Sequence, residues 1–572
     1  MIRKSQAPKT RRLNLSLACL VLILASLPVA AQVTSPAAQP SKVGKITGKV
    51  VNDKGQPLPN ARVMIRAVGS MEATQTATTD QDGKFELNGL DRVSYHLNAW
   101  FSTYVPLSLD SDDFQPSTFR VGDSPTLVLT KGGVITGTVT DHTGEPLVGV
   151  RVRARMIRES NLPTWFYGQS ERTTDDRGIY RLYGLPAGTY LVWAGGPTYN
   201  PGLDPFDTDV PTYAPSSTRD TATEITVRAG EETTNVDIRY RGEPGHIVSG
   251  TVNGPSGEQA MGAAYAVDLT SVGRAPWSSM SVVRMQEGRG FSFQGIDDGE
   301  YFVTARSMVA NQEWAFSESK RIQVRGGDVT GIELVTQPLA SVSARVVLEE
   351  SKAPDCTDKE RPLFSETLIT SRQKETEATK RIPRFVWLER AGLNADAEGN
   401  VRLRNLTPGE YRFTTQFSGK YWYLHSMSLG SKTAKPVDAA RNWTRIKSGD
   451  RISVLTITLA QGAASLRGKV ALAEGETLPD RLFAYLVPAE REKVEDVLRY
   501  FAAPVTADGK IVLNNVAPGR YWIVAQPELT GNQLQLPDAT ETRSKLRRAA
   551  EAAKHEIEFQ PCQNISDFRL PL

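Results

Sequence analysis

The stretch Thr173-Thr-Asp-Asp-Arg-Gly-Ile-Tyr-Arg-Leu-Tyr-Gly-Leu-Pro-Ala-Gly-Thr-Tyr190 decides the fold. Asp175-Asp-Arg-Gly178 has the composition of a tight turn, where glycine supplies the positive φ that other residues avoid. Tyr180 and Leu182 then alternate with more polar neighbours, which is the period of a strand with one buried face. Leu185-Pro-Ala-Gly188 turns the chain again. The sequence therefore predicts a turn, a strand, a second turn and the start of another strand.

This unit occurs five times along the 572-residue chain, with apolar residues two, four, seven, twelve and fourteen positions after the turn glycine. The glycine is Gly83, Gly178, Gly399 and Gly509 in four copies, and Arg289 takes its place in the third. Such recurrence is a strong signal of repeated domains. The residue at the twelfth position is always tyrosine: Tyr95, Tyr190, Tyr301, Tyr411 and Tyr521. Its place after a turn resembles the tyrosine corner of β-sandwiches, whose hydroxyl bonds to the backbone upstream.

Each copy is preceded by a similar strand and turn, as in Ile46 to Val63 and Ile135 to Val152. Short strands at regular spacing, with Gly, Asp and Asn turns, predict an all-β chain of five tandem sandwiches. The expected boundaries are residues 1–31 for a signal peptide, 32–42 for a linker, 43–130, 131–243, 244–338, 339–461 and 462–572 for repeats 1 to 5. The short links between repeats predict a semi-rigid rod.

Helical patterns are expected only in repeat 5. Residues Glu490 to Phe501 have apolar side chains at helical spacing, and Asp538 to Ile557 are rich in Ala, Arg and Glu. Asp538 with Glu541 would form a capping box. A last strand, Phe568 to Leu570, is expected to return to the sandwich.

The first 31 residues have the pattern of a secretory signal peptide: a basic start, an apolar run from Leu13 to Leu27, and Val29-Ala30-Ala31 before Gln32. The formal net charge of the whole chain is +3. Removing the five cations Arg3, Lys4, Lys9, Arg11 and Arg12 gives 3 − 5 = −2 for the mature chain. No basic field for nucleic acid remains, and no membrane span is expected in the mature chain. The predicted location is the periplasm, the cell surface or the medium.

Two cysteines remain after removal of the signal peptide, Cys356 and Cys562. In an oxidising compartment this pair is a candidate disulfide that would tie repeat 4 to the C-terminal part of repeat 5. The alternative is two buried free thiols.

Catalytic and metal-binding patterns do not stand out. The five histidines fall in different repeats, without the spacing of a metal site or a nucleophile motif. Asp80-Gln-Asp-Gly83 and Asp175-Asp-Arg-Gly178 resemble the start of a calcium loop but lack its further oxygen ligands, which favours a turn. We therefore expect a non-enzymatic protein without a cofactor or metal.

The candidate ligand-binding residues are aromatic: Trp165 and Tyr167 in one run, Trp422 and Tyr423 in another. Exposed aromatic rings on a β-sandwich stack on sugars. Neighbouring residues of a strand face opposite sides, however, so at least one ring of each run is expected in the core. Core packing or an interdomain contact is the alternative.

Gly137-Thr-Val-Thr-Asp-His-Thr-Gly-Glu-Pro-Leu147, followed by Gly184-Leu-Pro-Ala-Gly-Thr-Tyr190, resembles the carboxypeptidase regulatory-like domain. Repeats 1 and 2 keep both halves of the pattern, repeats 3 and 5 are recognisable, and repeat 4 is partial. The resemblance implies a transthyretin-like β-sandwich that accompanies enzymes, receptors or adhesins and is not itself a catalyst.

Together these features predict a bacterial-type exported protein with a structural or binding role at the cell envelope. The alternatives are carbohydrate binding through one or two repeats, and regulation of a separate peptidase or outer-membrane transporter. The expected partner is a carbohydrate or another envelope protein.

Overall fold

The computed structural model describes most of the chain beyond the predicted signal peptide and linker. The described residues are 44–70, 73–106, 118–157, 169–198, 205–254, 264–273, 275–284, 288–309, 313–374, 392–430, 436–471, 478–479, 482–506, 508–527 and 540–571.

The described chain is almost entirely β-structure. Repeat 1 contains β1 (Gly44–Asn52), β2 (Arg62–Ala67), β3 (Gln75–Thr78), β4 (Lys84–Leu90), β5 (Tyr95–Trp100), β6 (Tyr104–Pro106), β7 (Thr118–Phe119) and β8 (Thr126–Lys131). Repeat 2 contains β9 (Gly133–Thr140), β10 (Arg151–Met156), β11 (Gln169–Thr173), β12 (Ile179–Leu185), β13 (Gly188–Ala194), β14 (Thr212–Tyr213), β15 (Ile225–Val227), β16 (Glu232–Thr233) and β17 (Ile238–Arg239). Repeat 3 contains β18 (His246–Asn253), β19 (Ala264–Ser271), β20 (Ser278–Arg284), β21 (Gly290–Ile296), β22 (Gly299–Val309), β23 (Glu313–Ser317), β24 (Lys320–Val324) and β25 (Val329–Pro338).

The last two repeats follow the same plan. Repeat 4 contains β26 (Ala340–Glu349), β27 (Leu368–Gln373), β28 (Leu393–Asn394), β29 (Asn400–Leu406), β30 (Gly409–Gln416), β31 (Trp422–Leu429), β32 (Val437–Asp438), β33 (Thr444–Ile446) and β34 (Arg451–Gln461). Repeat 5 contains β35 (Ala464–Ala471), β36 (Leu482–Pro488), β37 (Phe501–Pro504), β38 (Lys510–Val516), β39 (Gly519–Pro527), the helix α1 (Thr540–Ala553), β40 (Glu556–Phe559) and β41 (Asn564–Pro571).

One pairing scheme recurs in each repeat. The first strand pairs antiparallel with the strand that follows the Asp-Gly turn, and parallel with strands near the end of the repeat. These sets are β1 with β4 and β8, β9 with β12, β16 and β17, β18 with β21 and β25, β26 with β29 and β34, and β35 with β38 and β41. A second sheet is built on an antiparallel pair: β2 with β5, β10 with β13, β19 with β22, β27 with β30, and β36 with β39. In repeat 3, β23 pairs with strands of both sets and joins them into one sheet. The all-β sandwich-type fold is confirmed, whereas the boundaries and the number of independent domains stay a prediction.

The core lies between the two sheets. In repeat 1, Ile46 and Val50 of β1 and Val63 and Ile65 of β2 are all 0% exposed and belong to one apolar cluster. Burying a side chain of this size contributes about 1.5–3 kcal/mol. The alternating pattern of the sequence thus selects which face of each strand packs inward.

The Asp-Gly segments form the predicted turns. Asp175 Oδ1 accepts hydrogen bonds from the backbone N–H groups of Arg177 at 3.0 Å and Ile179 at 2.8 Å. Gly178 has a φ of 72°, the left-handed conformation that glycine tolerates best. The backbone hydrogen bond from Ile179 and the side chain of Arg177 lower the pKa of Asp175. One carboxylate oxygen is therefore engaged with the turn's own backbone.

A glycine in the first strand allows two backbones to approach closely. In repeat 2, a Cβ at Gly137 would lie 2.0 Å from the carbonyl oxygen of Val236. The hydroxyl of Tyr180 donates a hydrogen bond to that same carbonyl oxygen. Any side chain at position 137 would displace the segment that leads into β17.

The tyrosine at the twelfth position forms the predicted corner in every copy. Its hydroxyl donates to the carbonyl oxygen four residues upstream: Tyr95 to Asp91 at 2.9 Å, Tyr190 to Pro186 at 2.8 Å, Tyr301 to Asp297 at 2.8 Å, Tyr411 to Thr407 at 2.8 Å, and Tyr521 to Ala517 at 2.9 Å. Each ring is at most 1% exposed. The residue therefore fills the core and satisfies a carbonyl of the turn at the same time.

The described part of repeat 5 has one α-helix, and the other predicted helix is wrong. Over Glu490 to Phe501 the structure has two short 3₁₀ helices, Arg491–Lys493 and Val497–Arg499, and Phe501 already begins β37. The apolar residues Val497 and Leu498 pack instead against the core cluster of repeat 4. The second helix is present as α1, but Asp538 of its predicted capping box lies outside the described residues. The predicted final strand is confirmed within β41.

Repeats distant in sequence also touch. Arg92 Nε of repeat 1 lies 2.8 Å from Glu366 Oε1 of repeat 4, and the backbone N–H of Ser94 donates to Asn394 Oδ1 at 3.1 Å. An end-to-end rod would keep repeats 1 and 4 apart. The rod prediction is therefore wrong, because linker length alone says nothing about side-chain contacts between non-adjacent repeats.

The corner hydrogen bond can be tested in repeat 2. Tyr190→Phe keeps the ring but removes the hydroxyl that bonds to Pro186, and it should lower the free energy of unfolding by about 1–2 kcal/mol. Urea denaturation followed by circular dichroism measures the change. Tyr183→Phe is the control, because the Tyr183 side chain lies outside the core and is 39% exposed. Equal midpoints for both variants and the wild type would contradict the role given to the hydroxyl.

Candidate functional site

The aromatic run of repeat 4 is divided between core and surface. Trp422 is 0% exposed within the core cluster of repeat 4, and its Nε1–H donates to the carbonyl oxygen of Glu360 at 3.1 Å. Both faces of its ring are covered by the protein. This corrects the prediction for Trp422: it is a core residue, because strand alternation points it inward, and its ring has no face open to a sugar.

Tyr423 is on the opposite side of β31 and is half-buried. The guanidinium carbon of Arg499 lies 5.9 Å from the centre of its ring, and the ring of His425 packs against it edge-on at 5.9 Å. Burial is the main cause that raises the pKa of Tyr423. A cation on one ring face and an imidazole at its edge leave limited room for a ligand, and ligand binding by Tyr423 stays a prediction.

Trp165 and Tyr167, the other two candidate residues, lie outside the described residues. Their role stays a prediction.

The most exposed tryptophan that the structure describes was missed by the sequence analysis. Trp100 closes β5 and is 44% exposed, opposite Arg62 of β2. The signal was available, because Tyr95, Leu97 and Ala99 alternate inward and leave Trp100 on the outer face. It was overlooked because it stands alone and not in an aromatic run.

Cys356 and Cys562 lie at the junction of repeats 4 and 5. Their sulfur atoms are 2.06 Å apart and their Cα atoms 5.4 Å apart, which is the geometry of a disulfide. Both residues are buried, and the Cys356 carbonyl accepts a hydrogen bond from Gln461 Nε2 at 3.1 Å. The backbone N–H of Cys562 donates to Gly462 at 2.9 Å. The predicted pair thus lies against the link between the two repeats.

No group of three or more His, Cys, Asp or Glu residues with the arrangement of a metal site occurs among the described residues. The Asp-Gly turns use carboxylate oxygens for backbone N–H groups, as Asp80 does for Asp82 at 2.9 Å and Lys84 at 2.8 Å. The chemistry of these carboxylates is that of turn formation. No helix in the described part of the chain is long and apolar enough to cross a membrane.

Comparison with known proteins identifies the first two repeats. Residues 45–127 and 134–241 each match the carboxypeptidase regulatory-like domain. Repeats 1 and 2 therefore contain domains of this family, and the resemblance read from the sequence is confirmed there. No curated protein matches the chain significantly.

Some solved structures of bacterial proteins show a likeness at very low identity. The minor pilin GBS52 of Streptococcus agalactiae is 14% identical, with 35% of this chain and 96% of that chain covered and a TM-score of 0.19. The Bacillus anthracis TIE protein is 12% identical, with 91% and 75% covered and a TM-score of 0.16. BcpA, the major pilin subunit of Bacillus cereus, is 10% identical, with 58% and 100% covered and a TM-score of 0.14. Scores this low carry no argument about function.

Trp100 gives the carbohydrate alternative a direct test. If the outer face of β5 binds sugars, Trp100→Ala should reduce retention on an insoluble polysaccharide or a glycan array at least tenfold, because stacking on the ring is lost. Tyr183→Ala, at an exposed position of β12 in repeat 2, is the matched control and should keep full binding. A blank result for the intact protein, or equal binding by both variants, would remove this surface from consideration.

Proposed function

We propose that this is a non-enzymatic exported protein with a structural or binding role, of a scaffold or adhesion type, at the cell envelope. The observation that supports the proposal is that buried side chains fix the repeats to one another. Buried polar and aromatic side chains lie at the junctions between repeats. A chain built in this way is suited to holding its surfaces in fixed relative positions.

Repeats 2 and 3 share one apolar core. Leu191, Trp193 and Tyr213 of repeat 2 are at most 2% exposed and belong to the cluster formed by repeat 3. Ser279 Oγ of repeat 3 donates to the carbonyl oxygen of Thr198 at 2.7 Å. Separating these repeats would expose the rings of a tryptophan and a tyrosine to water.

Repeats 3 and 4 are joined by a carboxylate of repeat 3 that forms ion pairs with two arginines of repeat 4. Glu313 of β23 is 7% exposed, and its two oxygens lie 2.8 Å from Arg402 Nη2 and 2.8 Å from Arg451 Nη2. Beside it, the backbone N–H of Trp314 donates to Asn405 Oδ1 at 2.8 Å. The negative charge of Glu313 is buried, whereas the side chains of both arginines remain about two-fifths exposed.

Repeats 4 and 5 are joined by the cysteine pair and by Asn515. Asn515 Nδ2 donates to the carbonyl oxygens of Gly419 and Trp422, the latter at 2.7 Å. Asn515 itself has a φ of 56° and lies where the register between β35 and β38 shifts. Export through the predicted signal peptide would bring Cys356 and Cys562 into an oxidising compartment, where a disulfide persists.

The scaffold proposal can be tested at the ion pairs of Glu313 with Arg402 and Arg451. Glu313→Gln removes the charge between two arginines and should lower the free energy of unfolding by about 1–3 kcal/mol, because two guanidinium groups lose their counter-charge. Small-angle X-ray scattering should show a broader distribution of interatomic distances, since repeats 3 and 4 are less firmly held.

Glu318→Gln is the matched control, an exposed glutamate of the same repeat. It should leave both measurements unchanged. If Glu313→Gln behaves like this control in scattering and in stability, the junction is not what orders the repeats, and the scaffold proposal loses its main support.

Regulation of a separate peptidase or outer-membrane transporter stays a proposal of lower rank. Such a partner should then co-purify with the tagged wild-type protein, and this binding should be lost when the face of a single repeat is changed. That result would favour the regulatory role over the scaffold role.

A further inference from the structure

The junction of repeats 2 and 3 contains a buried arginine whose charge is unmatched in the part of the chain that the structure describes. Arg155 of β10 is 8% exposed, lies opposite Leu191 of β13, and points from the sheet face that packs on repeat 3. Its Nε has no hydrogen-bond acceptor among the described residues. Burial lowers the pKa of Arg155 to about 10, and the one opposing influence is Tyr213.

Two other buried arginines show how this chain normally satisfies such a group. Arg153, two residues away on the same face, pairs with Glu171 at 2.7 Å and donates to the Pro197 carbonyl at 3.1 Å. Arg306 of repeat 3 pairs with Asp268 at 2.7 Å. A buried guanidinium without a counter-charge is strongly unfavourable, so Arg155 departs from the rule that the other two follow.

Further buried donors converge on the same junction. Arg219 is 6% exposed, and its Nη2 lies 3.3 Å from the place that a Cβ on Gly299 of repeat 3 would occupy. Its Nε and Nη1, the hydroxyl of Tyr213 and Nε1 of Trp277 have no hydrogen-bond partner among the described residues. Arg155 and Arg219 both act electrostatically on the Tyr213 hydroxyl, as Arg153 and Asp297 also do.

The described carboxylates of this junction have other partners. Glu171 pairs with Arg153, and Asp207 lies 3.9 Å from Arg151. Asp297 accepts from the hydroxyl of Tyr301, and it also attracts Arg219 electrostatically. Asp220 lies 4.0 Å from Arg219, and its side chain is 92% exposed. A buried water could satisfy a neutral donor, but it brings no negative charge for a guanidinium.

We propose that the junction of repeats 2 and 3 binds a small oxyanion (sulfate, phosphate or a carboxylate group), with Arg155 as its principal charged ligand and Arg219, Tyr213 and Trp277 as further donors. Several donors with two positive charges match an anion that has several oxygens. Because the ligands come from both repeats, the bound anion stabilises their junction. This anion site is independent of the scaffold proposal, so the failure of one proposal leaves the other unaffected.

The test is the thermal unfolding of the intact mature protein in sodium sulfate and in sodium chloride of equal ionic strength. For the wild type, Tm should rise with the logarithm of the sulfate concentration and exceed the value in chloride, since a ligand that binds the folded state stabilises it. Isothermal titration with sulfate should give one site per chain.

The variants separate a site from a general salt effect. Arg155→Met removes the unmatched charge, so in chloride its Tm should equal or exceed that of the wild type, and its specific response to sulfate should fall at least tenfold. Arg219→Met should reduce the response as well. Arg177→Met, whose side chain is 72% exposed on a turn of repeat 2, should respond like the wild type. An equal sulfate response in Arg155→Met and Arg177→Met would overturn the proposal.

A last variant decides whether the anion comes from solution or from the chain itself. Glu159 and Asp204 flank β10 and β13 in sequence and lie outside the described residues. The variant with Glu159→Gln and Asp204→Asn should keep the sulfate response of the wild type. If the wild type does not respond and this variant does, a carboxylate of the chain serves Arg155, and the proposal of a bound oxyanion is wrong.

Discussion

The hydrogen bond between a buried tyrosine hydroxyl and the carbonyl four residues upstream is the constraint on which every repeat depends. It ties the turn before the strand that begins near the tyrosine back to the core. The same ring fills the space between the two sheets. One side chain thus couples turn geometry to core packing, and the unit tolerates wide variation elsewhere.

The outer face of the second sheet has different neighbours in different repeats. In repeat 2 this face carries Arg155 and Trp193 and is covered by repeat 3. In repeat 5 the face carries Phe483 and Tyr485, which pack against Leu546 of α1. In repeat 1 it leaves Trp100 exposed. The shared inner face explains why the repeats fold, and the outer face is where they acquire different neighbours.

The fold could be predicted from the sequence because its determinants are local. Gly178, Tyr180 and Tyr190 stand at fixed spacings whose meaning follows from turn geometry and strand alternation. The junctions could not be predicted in the same way. Nothing near Glu313 in the sequence indicates that Arg402 and Arg451, far along the chain, form ion pairs with it. The length of the linkers wrongly suggested a rod.

The candidate site was predicted less well, for the same reason. Strand alternation implied that one ring of the run at Trp422 is core, but the sequence could not say which one. Val497 and Leu498 belong to a stretch with helical spacing of its apolar residues. Their side chains pack against the core of repeat 4, and this packing overrides the local preference for a helix. Trp100 was missed because it stands outside any aromatic run, although strand alternation indicated its outward position. Arg155 was missed because an unmatched charge arises only when the faces of two repeats meet.

The corner is tested most directly by the alkaline titration of tyrosine. Burial raises the pKa of Tyr95 and of Tyr521 to about 12, and it raises that of Tyr301 further. A pKa raised in the folded state contributes stability that is present below the ordinary value near 10 and is lost as the pH rises through the folded value. Ultraviolet absorbance should therefore show that part of the tyrosine signal, that of the corner residues Tyr95 and Tyr521 included, ionises near pH 12, together with the loss of β-sheet circular dichroism. Ionisation of all 17 tyrosines near pH 10, with the sheet signal intact, would contradict the account.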